Sequence, residues 1–106
     1  MNDCVFCNID KSRIEIENDL ALSFKDLYPV TEGHTLVIPK RRVQSFFELS
    51  SNEKKAMFEL LESQKQDLQN KDKFITGFNI GINDGQDAGQ TVMHCHIHLI
   101  PRRKGD

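Results

Sequence analysis

Gly89-Gln90-Thr91-Val92-Met93-His94-Cys95-His96-Ile97-His98-Leu99-Ile100-Pro101-Arg102 carries three of the chain's four histidines, at alternate positions. Side chains two apart on a strand point the same way. The spacing therefore predicts a strand over Thr91 to Pro101, with His94, His96 and His98 on one face and Met93, Cys95, Ile97 and Leu99 on the other. The apolar set is the core side. The opposite face presents a row of imidazoles where a half-exposed strand would ordinarily carry Thr, Lys or Glu.

Three readings compete for that row. A polar sheet face using His by chance is the plainest, but three alternating imidazoles are an unusual composition for one. A metal centre is the second, because neutral imidazole ligates zinc. At about 3.3 Å per residue the outer two histidines stand roughly 13 Å apart, while each ligand nitrogen must come within about 2 Å of one ion. Two neighbours could converge with His34 as a third ligand, but all three could not easily do so. The third reading is nucleophilic catalysis at phosphorus. Imidazole attacks well at neutral pH and leaves well when water later attacks the phosphoramidate. A central His96 would attack, while its neighbours hydrogen-bond phosphate oxygens or pass a proton to the departing group.

Working outward, Asn83 to Gln90 is too long for a tight turn and holds Gly85 and Gly89, which allow backbone N–H groups to approach an anion. Before it, Phe74 to Ile82 reads as a strand with Phe78 and Ile80 on one face. Ser50 with Glu53 forms a possible capping box, and Met57, Leu60, Leu61 and Leu68 recur at helical spacing, predicting the chain's one long helix. Thr35 to Ile38 is a strand stopped by Pro39, and Ile14 to Glu17 with Leu20 to Phe24 reads as a hairpin across Asn18-Asp19. Val5, Phe6 and Ile9 suggest a short helix over Cys4 to Asp10.

At 106 residues and 38% hydrophobic, the chain is sized for one domain, 1–106. Fourteen Lys+Arg against sixteen Asp+Glu give a net charge of −2, which excludes a general electrostatic nucleic-acid binder. No apolar run is long enough for a membrane span. The segment Met1 to Cys7 lacks the basic and apolar regions of a signal peptide, so a cytoplasmic address is expected. Three cysteines, an odd number, fit free or metal-bound thiols better than a disulfide framework. The basic triplets Lys40-Arg41-Arg42 and Arg102-Arg103-Lys104 each follow an Ile-Pro expected to end a strand. They read as solvated strand ends or, more sharply, as attractors of a substrate's outer phosphates.

The histidine segment resembles the signature of the histidine triad (HIT) family of nucleotide hydrolases and transferases. The resemblance extends through Gly33-His34-Thr35-Leu36-Val37-Ile38-Pro39-Lys40 and Phe24-Lys25-Asp26, in the family's order. It implies an α+β fold, an antiparallel sheet of about five strands with one long helix, commonly paired into a two-fold dimer. It implies that His96 takes the nucleotide's α-phosphate, that His94 and His98 line the phosphate, and that His34 supports them. Asn83, Gly89, Gln90 and Thr91 would contact phosphate or leaving group, and Asp26 the ribose hydroxyls. Val5, Phe6, Ile9 and Leu27 match the apolar base pocket, with adenine the favoured base. The implied activity is hydrolysis of dinucleoside polyphosphates or nucleoside 5′-phosphoramidates through a nucleotidyl-histidine on His96, with no cofactor required for catalysis. A nucleotide-binding module with little turnover, or a zinc-dependent hydrolase, are the alternatives. Some bacterial relatives bind structural zinc through Cys-x-x-Cys, the first triad His and a further His. Here Cys4, Cys7 and His94 match, but Arg42 stands where the fourth ligand is expected, and guanidinium has no lone pair to donate.

Overall fold

The computed structural model describes residues 4–106. Met1 to Asp3, part of the segment from which a cytoplasmic address is expected, lie outside the described residues. Among these residues, no helix is long and apolar enough to cross a membrane.

Five strands form one antiparallel sheet: β1 (Ile14–Glu17), β2 (Ala21–Lys25), β3 (Thr35–Pro39), β4 (Ile75–Gly81) and β5 (Ile97–Arg103), in the order β1-β2-β3-β5-β4. A single long helix, α1 (Ser51–Lys71), crosses one face. The β1–β2 hairpin turns on Asn18, whose side-chain oxygen accepts the Leu20 and Ala21 N–H groups at 3.2 and 2.9 Å. At the start of α1, Ser50 Oγ accepts the Glu53 N–H at 3.0 Å and the Glu53 carboxylate accepts the Ser50 N–H at 2.8 Å, the reciprocal box read from the sequence. Arg41 grips the same carboxylate with two N–H groups at 2.8 and 2.9 Å, which together with the capping bonds holds Glu53 down at about 2.

The helix buries Ala56, Met57, Leu60 and Leu68, spacings of one, three and eight that keep one stripe on the sheet. That stripe meets Ala21, Val37, Cys95 and Ile97. The opposite face of β2 and β3 presents Phe24, Leu36 and Ile38, covered by Phe6 and Ile9 of the N-terminal segment. All five residues of β3 are buried, as a central strand covered on both faces requires.

Two expectations are corrected. Cys4 to Asp10 is a turn over Val5 to Asn8, followed by a 3₁₀ turn at Lys11–Arg13, rather than a short helix. The Cys7 N–H bonds Cys4 O at 3.2 Å, and Asp10 caps Ser12 instead of continuing a helix; so short a run does not recover the cost of nucleation. The histidine strand begins at Ile97, not Thr91. Residues 91–96 are drawn off the ladder by specific bonds, among them Cys95 N–H to Val43 O at 2.6 Å and the Gln90 amide to Gln44 O and Val92 O at 2.9 and 3.1 Å.

Candidate active site

His98 is the one triad histidine inside a strand. It lies opposite Leu36 in the β3–β5 register, so the two share the sheet face away from α1. Ile97 and Leu99 point the other way into the core. His96, in the irregular run just before β5, places its ring 5.0 Å from that of His98 and 5.1 Å from Phe6. Both imidazoles line a cavity of about 450 Å³, together with Phe6, Asp26, Leu36 and Thr91. Val5, Leu27, Tyr28, Val92 and Arg13 complete its walls.

The donors and acceptors fix the tautomers. A backbone N–H can only donate, so the Val30 N–H, 3.1 Å from His34 Nδ1, leaves the proton of neutral His34 on Nε2. That Nε2–H donates to His98 Nδ1 at 2.9 Å, which puts the His98 proton on its own Nε2. His96 is set the opposite way. Its Nδ1–H donates to the His94 carbonyl at 2.8 Å, leaving an Nε2 lone pair that has no protein partner among the described residues. One cavity therefore holds a lone pair on His96 and an N–H on His98. Burial, then the neighbouring His96 and His34, push His98 below the ordinary imidazole range against the pull of Asp26. Burial also lowers His34, opposed by Asp26 at 3.6 Å and reinforced by Arg102 and His96.

His94 is elsewhere. It is fully buried and absent from the cavity wall; its backbone carbonyl is what reaches His96. The three rings do not share one strand face, because residues 94–96 have left the ladder. The His94 Nε2–H donates to Pro39 O at 2.8 Å, so Nδ1 carries a lone pair, and that lone pair faces Cys4 Sγ at 3.3 Å and Cys7 Sγ at 3.5 Å. Burial pushes this ring below the ordinary imidazole range, aided by His96 and Arg42 and opposed by the Pro39 bond. Cys4 and Cys7 are joined as a disulfide with Cα atoms 5.3 Å apart, where the odd count led to an expectation of free or metal-bound thiols; the three-residue spacing folds into a turn that brings the sulfurs together. Cys95 is the free cysteine among the described residues, buried, with its thiol pushed up to about 11 by burial. Opened, the pair and His94 Nδ1 offer three donors within 4.8 Å of one another, which fits a soft divalent ion such as zinc. Asp26, His34 and His98 also lie within that spacing, but the His34–His98 hydrogen bond occupies both facing nitrogens, so a catalytic metal does not fit there without breaking it.

The remaining expected residues separate into two groups. Asp26 and Thr91 line the main cavity, as do Val5, Phe6 and Leu27, whereas Ile9 packs behind Phe6 against Phe24. Asn83 lines a smaller cavity of about 290 Å³ on the His34 side of His98. Gln90 is buried with its amide fully engaged: Oε1 accepts the Gly85 N–H at 2.8 Å while Nε2 donates to Gln44 O and Val92 O, so it braces the loop from within. Gly89, at φ 95°, adopts the left-handed turn that closes this loop. The basic triplets are largely committed to protein partners: Lys40 to Glu17, Arg41 to Glu53, Arg102 to Asn79 and Arg103 to Asp72. Sequence reasoning missed Tyr28 and Val92, which neighbour the expected Leu27 and Thr91, Leu36, which lies opposite His98 in the β3–β5 register, and Arg13, for which the sequence carries no signal.

This fold is shared with known proteins. The model of the HIT domain matches residues 8–105, and the chain belongs to the HIT family. It is 40% identical over 95 residues to the asymmetrical bis(5′-nucleosyl)-tetraphosphatase of Schizosaccharomyces pombe, covering 90% of this chain and 52% of that enzyme. The crystal structure of the Caenorhabditis elegans NitFhit protein superposes with a TM-score of 0.88 at 39% identity, over 93% of this chain and 24% of the other. A zinc-bound histidine triad family protein from Mycobacterium smegmatis gives a TM-score of 0.88 at 35% identity, over 98% of this chain and 78% of the other. The chain thus spans about half the length of the yeast relative and a quarter of NitFhit.

Proposed function

We propose that the chain is a nucleotide hydrolase that cleaves dinucleoside polyphosphates or nucleoside 5′-phosphoramidates through a nucleotidyl-histidine. The carrying observation is the pair of opposite tautomers in one cavity: a lone pair on His96 Nε2 beside an N–H on His98 Nε2. His96 Nε2 attacks the α-phosphorus as the bond from that phosphorus to the leaving oxygen or nitrogen breaks. The electron pair goes to the leaving group. The His98 Nε2–H hydrogen-bonds a phosphoryl oxygen as charge builds there, and an amine leaving group takes its proton from solvent. Water then attacks the phosphoramidate on His96, releasing a nucleoside monophosphate and restoring the imidazole. Asp26 holds the ribose hydroxyls, Phe6, Val5 and Leu27 the base, Thr91 the phosphates, and Asn83 the departing group, with Gly89 and Gln90 shaping the loop. The name of the yeast relative supports this substrate class.

Two further proposals concern assembly. Zinc binds Cys4, Cys7 and His94 when the sulfurs are reduced, stabilising the segment that carries Phe6 without entering the reaction; the zinc-bound mycobacterial relative supports this. The chain forms a two-fold dimer through β4, the longer edge strand, whose Ile80 is 59% exposed and whose outer backbone is unpaired by this sheet.

Three outcomes follow. His96→Ala should lose turnover by about a thousandfold or more while retaining the native circular dichroism spectrum; the wild type, quenched during turnover of a labelled dinucleotide, should carry an acid-labile, alkali-stable adduct, and near-normal rates in the variant would remove the covalent step. Under reducing conditions one equivalent of zinc should bind by metal analysis and raise the melting temperature without changing kcat, and Cys7→Ser should abolish that binding; a wild type that takes up no zinc contradicts the site. Light scattering should give twice 12.2 kDa for the isolated chain and a monomer for Ile80→Lys; a monomeric wild type contradicts pairing through β4.

A further inference from the structure

Arg13 ends the 3₁₀ turn before β1 and enters the wall of the main cavity beside Phe6, Asp26 and Leu36. Its guanidinium carbon lies 5.2 Å from the centroid of the Phe24 ring, and one terminal amino group donates to Lys25 O at 3.2 Å. These two contacts hold the guanidinium in place. No carboxylate among the described residues lies within ion-pair distance of it; neighbouring Lys25 pairs with Glu15 instead. A guanidinium has five N–H donors and no acceptor, so donors remain for whatever fills the cavity.

Its place in the cavity says which part of a ligand it meets. Lys25 O, which anchors it, immediately precedes Asp26. Phe24, beneath it, reaches His96 only through Phe6, with ring centroids 5.3 Å apart at the first step and 5.1 Å at the second. Arg13 therefore stands on the Phe24 side of the cavity, separated by Phe6 from His96, where the proposed reaction places the α-phosphate.

We propose that Arg13 is a specificity-determining residue that reads the edge of the nucleobase and favours an oxo-purine, guanine, over adenine; this rests on the nucleotide hydrolase reading above. Guanine offers two adjacent acceptors, O6 and N7, which match a forked donor. Adenine replaces O6 with an amino group, so an N–H would face an N–H. The adenine preference that the family resemblance implies gives way here to a donor-only group at the base end.

The test compares kcat/KM for diguanosine and diadenosine tetraphosphate, with dissociation constants for GMP and AMP, in wild type, Arg13→Met and Arg13→Lys. Wild type should favour guanine by about tenfold in both readouts. Arg13→Met should bring the ratio towards one, chiefly through the guanine ligand, and Arg13→Lys should restore it only partly because the fork is lost. A wild-type ratio near one, a ratio unchanged in Arg13→Met, or an equal loss for both bases overturns the inference. If neither dinucleotide is cleaved but GMP binds more tightly than AMP in an Arg13-dependent way, base reading stands and the hydrolase reading fails. If neither monophosphate binds, both fail.

Discussion

The site depends on two backbone groups, the Val30 N–H and the His94 carbonyl. Each holds one imidazole nitrogen and so dictates what the other nitrogen presents. The donor sends a proton relay through His34 to His98, ending in an N–H at the cavity; the acceptor takes the proton of His96 Nδ1 and leaves a lone pair there. Two chemically identical side chains with rings 5.0 Å apart thereby acquire opposite capacities, a bare lone pair and an N–H donor. Backbone partners suit this task because, unlike a side-chain hydroxyl, they cannot reverse role.

The same arrangement disfavours charge on His34, His94 and His98. Burial dominates the downward shifts of His34, His94 and His98, and crowding with other cationic partners adds to it. A protonated His34 could not accept the Val30 N–H, and a protonated His98 could not accept from His34. The desolvation that disfavours charge therefore protects the tautomers as well. Acidification works against both: with folded values below the unfolded imidazole value, the unfolded chain binds more protons in that window, so stability falls together with the relay as pH drops through it.

Most of the architecture was legible in the sequence, because each element carried its own local signal. The capping box Ser50–Glu53, the Asn18 turn and the β-branched run ending at Pro39 each appear where they were read. The histidine segment misled for a physical reason. Alternation holds only while the backbone stays on the ladder, and long-range bonds from Val43, Pro39 and Gln44 pull residues 90–95 away from it. Those partners lie some fifty residues upstream, and no local pattern announces them. As a result His94 turns to Cys4 and Cys7, and Gln90, expected to touch ligand, spends its amide inside its own loop. Arg13 was invisible for a similar reason: its place in the cavity follows from β1 lying beside β2, which puts it over Phe24.

The most direct measurement is the protonation pattern of the imidazole nitrogens, read by long-range ¹H–¹⁵N correlation spectra of the free protein at neutral pH. His96 should give the Nδ1–H tautomer, with Nε2 at the chemical shift of a bare lone pair, and His34 and His98 should both give the Nε2–H form. Finding the proton of His96 on Nε2, or His98 doubly protonated, would contradict the assignment of nucleophile and donor from which the proposed chemistry is built.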